Sequence, residues 1–141
     1  MKKRHVCLLS TALLCAIMLT SCGGGGGTSI ISKTPFDVVK ASLTAIKDKN
    51  FPEALKYIMK KDGTALTKEE NEKLTGLLTL VSKELEKKQG MKDIQMVEEK
   101  ISQDGNTAIV KYRIVYNDGT TEDKDTNLAK VNGDWFMVIG N

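Results

Sequence analysis

The sequence predicts an α+β domain in which N-terminal helices pack on one face of an antiparallel sheet of about four strands. Up to Gly90, apolar residues recur every three or four positions, which is the period of an amphipathic helix. After Gly90, apolar and polar residues alternate, and short Gly-containing turns separate the runs. Because the helices come first and the strands follow through tight turns, neighbouring strands are expected to be antiparallel.

The first helix is predicted to begin at Thr34-Pro35. Threonine is a good N-cap, proline suits the first helical position, and Asp37 lies in the first turn near the positive end of the helix dipole. The polar run 47–50 ends the helix. Its buried face is predicted to consist of residues at helical spacing: Phe36, Val39, Leu43 and Ile46.

A short second helix is predicted to start at Phe51-Pro52, with three apolar side chains turned inward: Leu55, Ile58 and Met59. A third, longer helix begins at Thr67, which forms a capping-box pattern with Glu70, and it ends at Gly90. Gly76 lies in its middle at a cost of roughly 1 kcal/mol relative to alanine, which is consistent with a close approach to another element. The apolar stripe of this helix is Leu74, Leu77, Leu78, Val81 and Leu85.

Four strands are predicted after Gly90, at residues 91–101, 107–116, 120–131 and 135–139. Turn sequences separate them, at Asp104-Gly105, Asp118-Gly119 and Asn132-Gly133. The second strand shows the clearest alternation, with one face formed by Ala108, Val110, Tyr112, Ile114 and Tyr116.

The N-terminus has the pattern of an export signal. Three basic residues at positions 2–4 precede an apolar run from Val6 to Leu19, which is shorter than the roughly 20 residues of a membrane span. Leu19-Thr20-Ser21-Cys22 follows, with a small residue directly before the cysteine. This arrangement resembles the bacterial lipoprotein signal, which implies cleavage before Cys22 and attachment of lipid to that cysteine.

Three segments are therefore predicted: a signal peptide at 1–21, a flexible Gly-rich tether at 22–33 and one domain at 34–141. Cleavage would remove Cys7, Cys15 and the single histidine, His5. With Cys22 acylated, the mature chain would have no disulfide, no thiolate nucleophile and no histidine acid or base.

The basic character of the chain also belongs to the signal peptide. The whole chain has 21 Lys and Arg against 18 Asp and Glu. Since residues 1–21 hold three basic residues and no acidic one, the mature chain would be formally neutral, and Arg113 would be its only arginine. Composition therefore gives no support for a nucleic-acid partner.

Three motifs together resemble the nuclear transport factor 2-like superfamily, and more narrowly its small bacterial lipoproteins of unknown function, described as "lumazine-binding-like" (cystatin-like). They are the opening helix at 34–39, the Phe-Pro-Glu-Ala-Leu sequence at 51–55 and the Asn-Gly-Asp-Trp sequence at 132–135. The resemblance implies a cone of helices wrapped by a curved sheet, with a cavity between them. Members of the superfamily include isomerases and cyclases, ligand-binding proteins and protein-interaction modules, so the fold leaves function open.

The candidate ligand-binding residues are aromatic: Tyr57, Tyr112, Tyr116 and Trp135. Ring stacking with a hydroxyl or indole donor would suit a flat ligand. The alternative is that they are ordinary core or rim residues of the sheet.

An isomerase or cyclase would instead need a carboxylate and an acid donor in the cavity. Asp37 or Glu53 with Tyr57 or Tyr112 could serve, although the two carboxylates are also explained as first-turn residues of helices. No catalytic residue is therefore assigned. An acidic group around the second turn, comprising Asp118, Glu122, Asp123 and Asp125, lacks the spacing of a calcium loop and favours a solvated hairpin. No metal site and no cofactor are predicted.

The sequence favours a lipid-anchored protein of the cell envelope whose domain is a non-catalytic binding or interaction module. Its expected partners are the membrane, through lipid on Cys22, and an unidentified protein or small molecule. The Gly run after Cys22 lacks the acidic residues that mark surface export in some lipoproteins, so a periplasm-facing domain is expected. The alternatives are an enzyme with a carboxylate–tyrosine pair, and a homodimer formed through the open sheet face.

Overall fold

The computed structural model describes residues 34–140, which form three helices and five strands. Cys22, the signal peptide and the tether lie outside the described residues. Within 34–140, no helix combines the length and the apolar character needed to cross a bilayer. In chain order the elements are α1 (Pro35–Lys47), α2 (Phe51–Leu55), β1 (Ile58–Lys60), α3 (Lys68–Lys87), β2 (Met91–Ile101), β3 (Thr107–Tyr116), β4 (Thr121–Val131) and β5 (Asp134–Ile139).

The α+β class is confirmed, with helices followed by a curved sheet. The strand order is β1-β5-β4-β3-β2. Strands β2 to β5 are antiparallel neighbours, as the turn sequences predict. The sheet has five strands rather than about four, and it is mixed, because β1 pairs with β5 in parallel.

The additional strand replaces part of the predicted second helix. Helix α2 ends at Leu55, and Ile58 and Met59 lie in β1 instead of on a helix face. The backbone NH of Met137 donates to the carbonyl of Tyr57 at 2.8 Å. Pairing with β5 satisfies backbone groups of three residues that would otherwise be left without partners. This long-range contact is invisible to local periodicity.

Both predicted capping boxes are present. The Thr34 hydroxyl accepts from the Asp37 NH at 3.1 Å, and the Asp37 carboxylate accepts from the Thr34 NH at 3.2 Å. Thr67 and Glu70 make the equivalent pair at 3.3 and 2.7 Å. Each box satisfies two of the NH groups that a helix start leaves free, and so fixes where the helix begins.

The core lies between α1 and the inner face of the sheet. The alternating residues of β3 from Ala108 to Tyr116 are buried, and Leu128 of β4 and Trp135 of β5 join them. Val38, Val39, Ala45 and Ile46 cover this face from α1.

Helix α3 packs much less tightly than α1. Only Ser82 and Leu85 are buried among its 20 residues. It approaches α1 and α2, while its backbone makes few close approaches to the strands. The expectation that Gly76 marks a close contact is wrong, because no neighbouring atom lies within 4 Å of the position where its Cβ would be.

Candidate functional site

A cavity of about 810 Å³ lies between α3 and the sheet. This volume is within the range of roughly 300–1,000 Å³ that is typical of small-molecule sites. Most of the lining is apolar and comes from α1, α3 and the three neighbouring strands β2 to β4. Its apolar and aromatic residues are Leu43, Ile46, Leu78, Leu80, Val81, Leu85, Met91, Tyr112, Ile114 and Tyr116.

The cavity exists because α3 is attached at its two ends and stands away from the sheet in its middle. Near its start, Lys60 forms an ion pair with Glu70 at 3.2 Å. At its end, the β3–β4 turn holds the terminal carbonyls: the Asn117 NH donates to Gly90 at 3.0 Å, and the Asn117 side-chain amide donates to Gln89 at 2.8 Å. These bonds cap the helix terminus and fix its distance from the sheet.

Four polar side chains, here named the Glu122 cluster, form one end of the cavity: Lys88, Tyr116, Glu122 and Lys124. The Tyr116 hydroxyl donates to Glu122 Oε2 at 2.6 Å, and Lys124 Nζ lies 2.7 Å from Glu122 Oε1. Lys88 Nζ lies 3.4 Å from Glu122 Oε2 and 4.1 Å from the centre of the Tyr116 ring. A single carboxylate thus interacts with two ammonium groups and a hydroxyl.

These neighbours fix the protonation states of the cluster. The bond from Lys124, followed by the bond from Tyr116, lowers the pKa of Glu122 to about 2. Burial, together with the bond to Glu122, raises the pKa of Tyr116. At neutral pH Glu122 is therefore charged, Tyr116 is protonated, and the cluster carries one net positive charge.

Tyr112 lies on the floor of the cavity, four residues before Tyr116 on the same face of β3. Burial is the main reason that its pKa is raised, and the charges of Asp125 and Glu122 add to it. Within the described part of the chain, its hydroxyl forms no hydrogen bond. It can therefore donate to, or accept from, a molecule in the cavity.

The structure brings together two of the four predicted ligand-binding residues, Tyr112 and Tyr116. Trp135 lies in the core at 4% exposure, with Lys130 Nζ 5.5 Å from the ring centre. Tyr57 lies between α2 and β1, outside the lining of this cavity. A ligand-binding role for these residues stays a prediction.

The lysines and the carboxylate of the cluster were not predicted as site residues. Alternation in β4 was a usable signal, because Leu128 marks the inward face and Glu122 and Lys124 share its parity. Lys88 carried no such signal, since it lies at the cap of α3 and reaches Glu122 only through the tertiary fold.

The carboxylates considered for an isomerase-like site lie elsewhere. Asp37 is held in the capping box of α1, and Glu53 forms an ion pair with Lys56 at 2.6 Å. Burial and the charge of Glu53 raise the pKa of Tyr57. The carboxylate–tyrosine pair that the structure places in the cavity is instead Glu122 with Tyr116.

The acidic group around the β3–β4 turn separates in the fold. Asp118 accepts from the NH and the hydroxyl of Thr120, and Asp123 pairs with Arg113 through two bonds of 2.6 and 2.8 Å. Glu122 alone of these faces the cavity. Among residues 34–140, no group of carboxylates could hold a metal ion.

A second cavity of about 920 Å³ lies between α2, the start of α3 and Phe136. It is wider and more open to solvent. It lacks a polar cluster like that around Glu122: of its charged residues, Lys56 is already paired with Glu53. The cavity between α3 and the sheet is therefore the stronger candidate site.

Comparison with known proteins supports the fold. A family model described as "Domain of unknown function (DUF4878)" matches residues 21–138. Among the curated proteins, none matches the chain significantly.

Three solved structures resemble the chain. A putative NTF2-like transpeptidase from Campylobacter jejuni has 21% identity and a TM-score of 0.65, covering 76% of this chain and 99% of its own. A SEC-C motif containing protein from Rhodopseudomonas palustris has 12% identity, 77% coverage of each chain and a TM-score of 0.48. An NTF2-like protein of unknown function from Cytophaga hutchinsonii has 21% identity, a TM-score of 0.36 and coverage of 74% of this chain and 89% of its own.

Proposed function

We propose that this chain, which belongs to the DUF4878 family and has an NTF2-like domain, is a non-catalytic binding protein of the cell envelope. Its ligand is a small molecule held between α3 and the sheet. The observation that carries the proposal is the 810 Å³ cavity with apolar walls and a few polar groups at one end.

The protonation states of the cavity favour binding over catalysis. A general base works best when its pKa lies near the operating pH, whereas the pKa of Glu122 is lowered to about 2. Tyr116 is a weakened acid for the converse reason, because its pKa is raised. An isomerase or cyclase using this pair would need both shifts to run in the opposite direction. The Campylobacter jejuni protein is named as a transpeptidase, but a likeness at 21% identity supports the fold alone, so that activity is not proposed for this chain.

The neutral character of the mature chain leaves lipid as the main attachment to a membrane. The signal sequence and Cys22 support an anchor on that cysteine, with the domain facing the periplasm beyond the Gly-rich segment. Cys22→Ala is expected to abolish incorporation of labelled palmitate and to release the protein from the membrane fraction. Cys15→Ala is the matched control, because Cys15 belongs to the predicted signal peptide. Equal palmitate labelling of the Cys22→Ala protein and the wild type would refute the anchor.

The binding proposal is tested with N-phenyl-1-naphthylamine, a neutral dye whose fluorescence rises in apolar surroundings. The protein used is the mature chain 22–141 with Cys22→Ala. The core residues of the described structure all lie between Val38 and Trp135, so this chain retains the whole core.

Leu80 and Leu77 provide a matched pair of variants. Both lie on α3 and are similarly exposed, at 58% and 56%, but only Leu80 lines the cavity. Leu80→Asp is expected to weaken dye binding by about tenfold, since it places a charge on an apolar wall at a cost of at least roughly 1.4 kcal/mol. Leu77→Asp should bind like the parent protein. Equal effects of the two variants, or no saturable binding by the parent protein, would contradict the proposal.

A further inference from the structure

We infer that the ligand is a free single-chain amphiphile with an anionic head group, its tail along α3 and its head at the Glu122 cluster. This inference rests on the proposed function, because it specifies which small molecule the same cavity takes.

The charges that line the cavity favour an anion. Four lysines and two glutamates line it, namely Lys83, Lys87, Lys88, Lys124, Glu84 and Glu122. Lys87 is paired with Glu84 at 2.6 Å, and two lysines share the single carboxylate of Glu122. The lining therefore has two net positive charges, although the mature chain as a whole is formally neutral.

The hydrogen-bonding capacity of the cluster points the same way. Both oxygens of Glu122 already accept bonds, Oε1 from Lys124 and Oε2 from Tyr116 and Lys88. A cationic ligand would have to displace these donors. An anionic head group could instead accept from the remaining ammonium hydrogens, since each lysine has three, and from the free hydroxyl of Tyr112.

The apolar part of the cavity is elongated along α3. From Leu78 to Lys88 the helix and its cap span roughly 15 Å at 1.5 Å per residue. Leu80 and Val81 remain 58% and 44% exposed along this stretch. An alkyl chain of medium length lying there would cover them and remove their apolar surface from water.

The test is displacement of bound N-phenyl-1-naphthylamine by three amphiphiles with the same tail, each below its critical micelle concentration. They are anionic dodecanoate, cationic dodecyltrimethylammonium and neutral dodecyl maltoside. Dodecanoate is expected to displace the dye at a concentration about five- to tenfold lower than the other two, as one partly exposed charge contact would give.

Variants at the cluster should act in opposite directions. Lys124→Gln is expected to weaken dodecanoate relative to the dye by about three- to tenfold, and Glu122→Gln to strengthen it by a similar factor. Lys111→Gln is the matched control, because Lys111 lies on the opposite, exposed face of β3 and pairs with Glu98. It should leave the ratio unchanged.

The outcomes separate this inference from the function on which it rests. Dye binding with equal displacement by dodecanoate and dodecyltrimethylammonium, or shifts of the same sign in Lys124→Gln and Glu122→Gln, would overturn the anionic ligand and leave the binding function standing. Absence of saturable dye binding would overturn both.

Discussion

Glu122 shows how its neighbours set the state of a half-exposed carboxylate. Its side chain is 38% exposed, yet it accepts from a tyrosine and interacts with two lysines. Interactions of such an exposed group are weakened by solvent, so its stabilising effect is modest. Its greater consequence is that the carboxylate stays charged and holds Lys88 and Lys124 at one end of the cavity.

The lowered pKa of Glu122 predicts a pH-dependent contribution to stability. A carboxyl group whose pKa falls on folding stabilises the native state above its unfolded pKa, and this contribution is lost as the pH falls through its folded value. Glu122→Gln should therefore lower the free energy of unfolding at pH 7 by roughly 1 kcal/mol, after allowance for solvent screening. The difference from wild type should shrink between about pH 4.5 and about pH 2.

Urea unfolding at a series of pH values measures this difference. Glu72→Gln is the control, because Glu72 is an exposed residue of α3 that forms no ion pair with any residue of 34–140. A deficit for Glu122→Gln that persists unchanged at pH 2 would show that the cluster does not hold the carboxylate in its charged form.

Helix α3 is the element that makes the cavity, because it is fixed at its ends and loose in its middle. Its start and stop could be predicted from the sequence, since the Thr67–Glu70 box and Gly90 are local signals. The four predicted strands were also recovered for the same reason, because turn residues and alternation act within a few positions. Strand β1 and Lys88 were missed because each depends on a partner distant in sequence: Met137 for one, and Glu122 for the other.

Two glycines of this region should respond oppositely to alanine. Gly76 is helical, exposed and free of neighbours, so Gly76→Ala should stabilise the protein by about 0.5–1 kcal/mol. Gly90 has φ +86°, and its Cβ would lie 3.4 Å from the Asn117 amide that caps Gln89. Gly90→Ala should destabilise the protein by about 1–2 kcal/mol. Thermal unfolding of the pair measures both effects, and equal melting temperatures would refute this description of α3.

At the scale of the whole molecule, the proposed anchor and the proposed cavity are independent parts of one function. Lipid on Cys22 would hold the domain near a membrane surface, where amphiphiles are available, while the cavity would select among them by charge. The cone fold follows from the order of helices and strands, which the sequence displays. The cavity does not, because it depends on how far α3 stands from the sheet, and this distance is set by contacts at the two ends of the helix.

The most direct test of the central claim is mapping of amide chemical shifts as dodecanoate and N-phenyl-1-naphthylamine are titrated separately into the mature chain. We expect shifts that saturate and cluster on both walls of the cavity, at Leu78, Val81, Tyr112 and Tyr116. Clustering around the second cavity instead, at Leu66, Asn71 and Phe136, would contradict it.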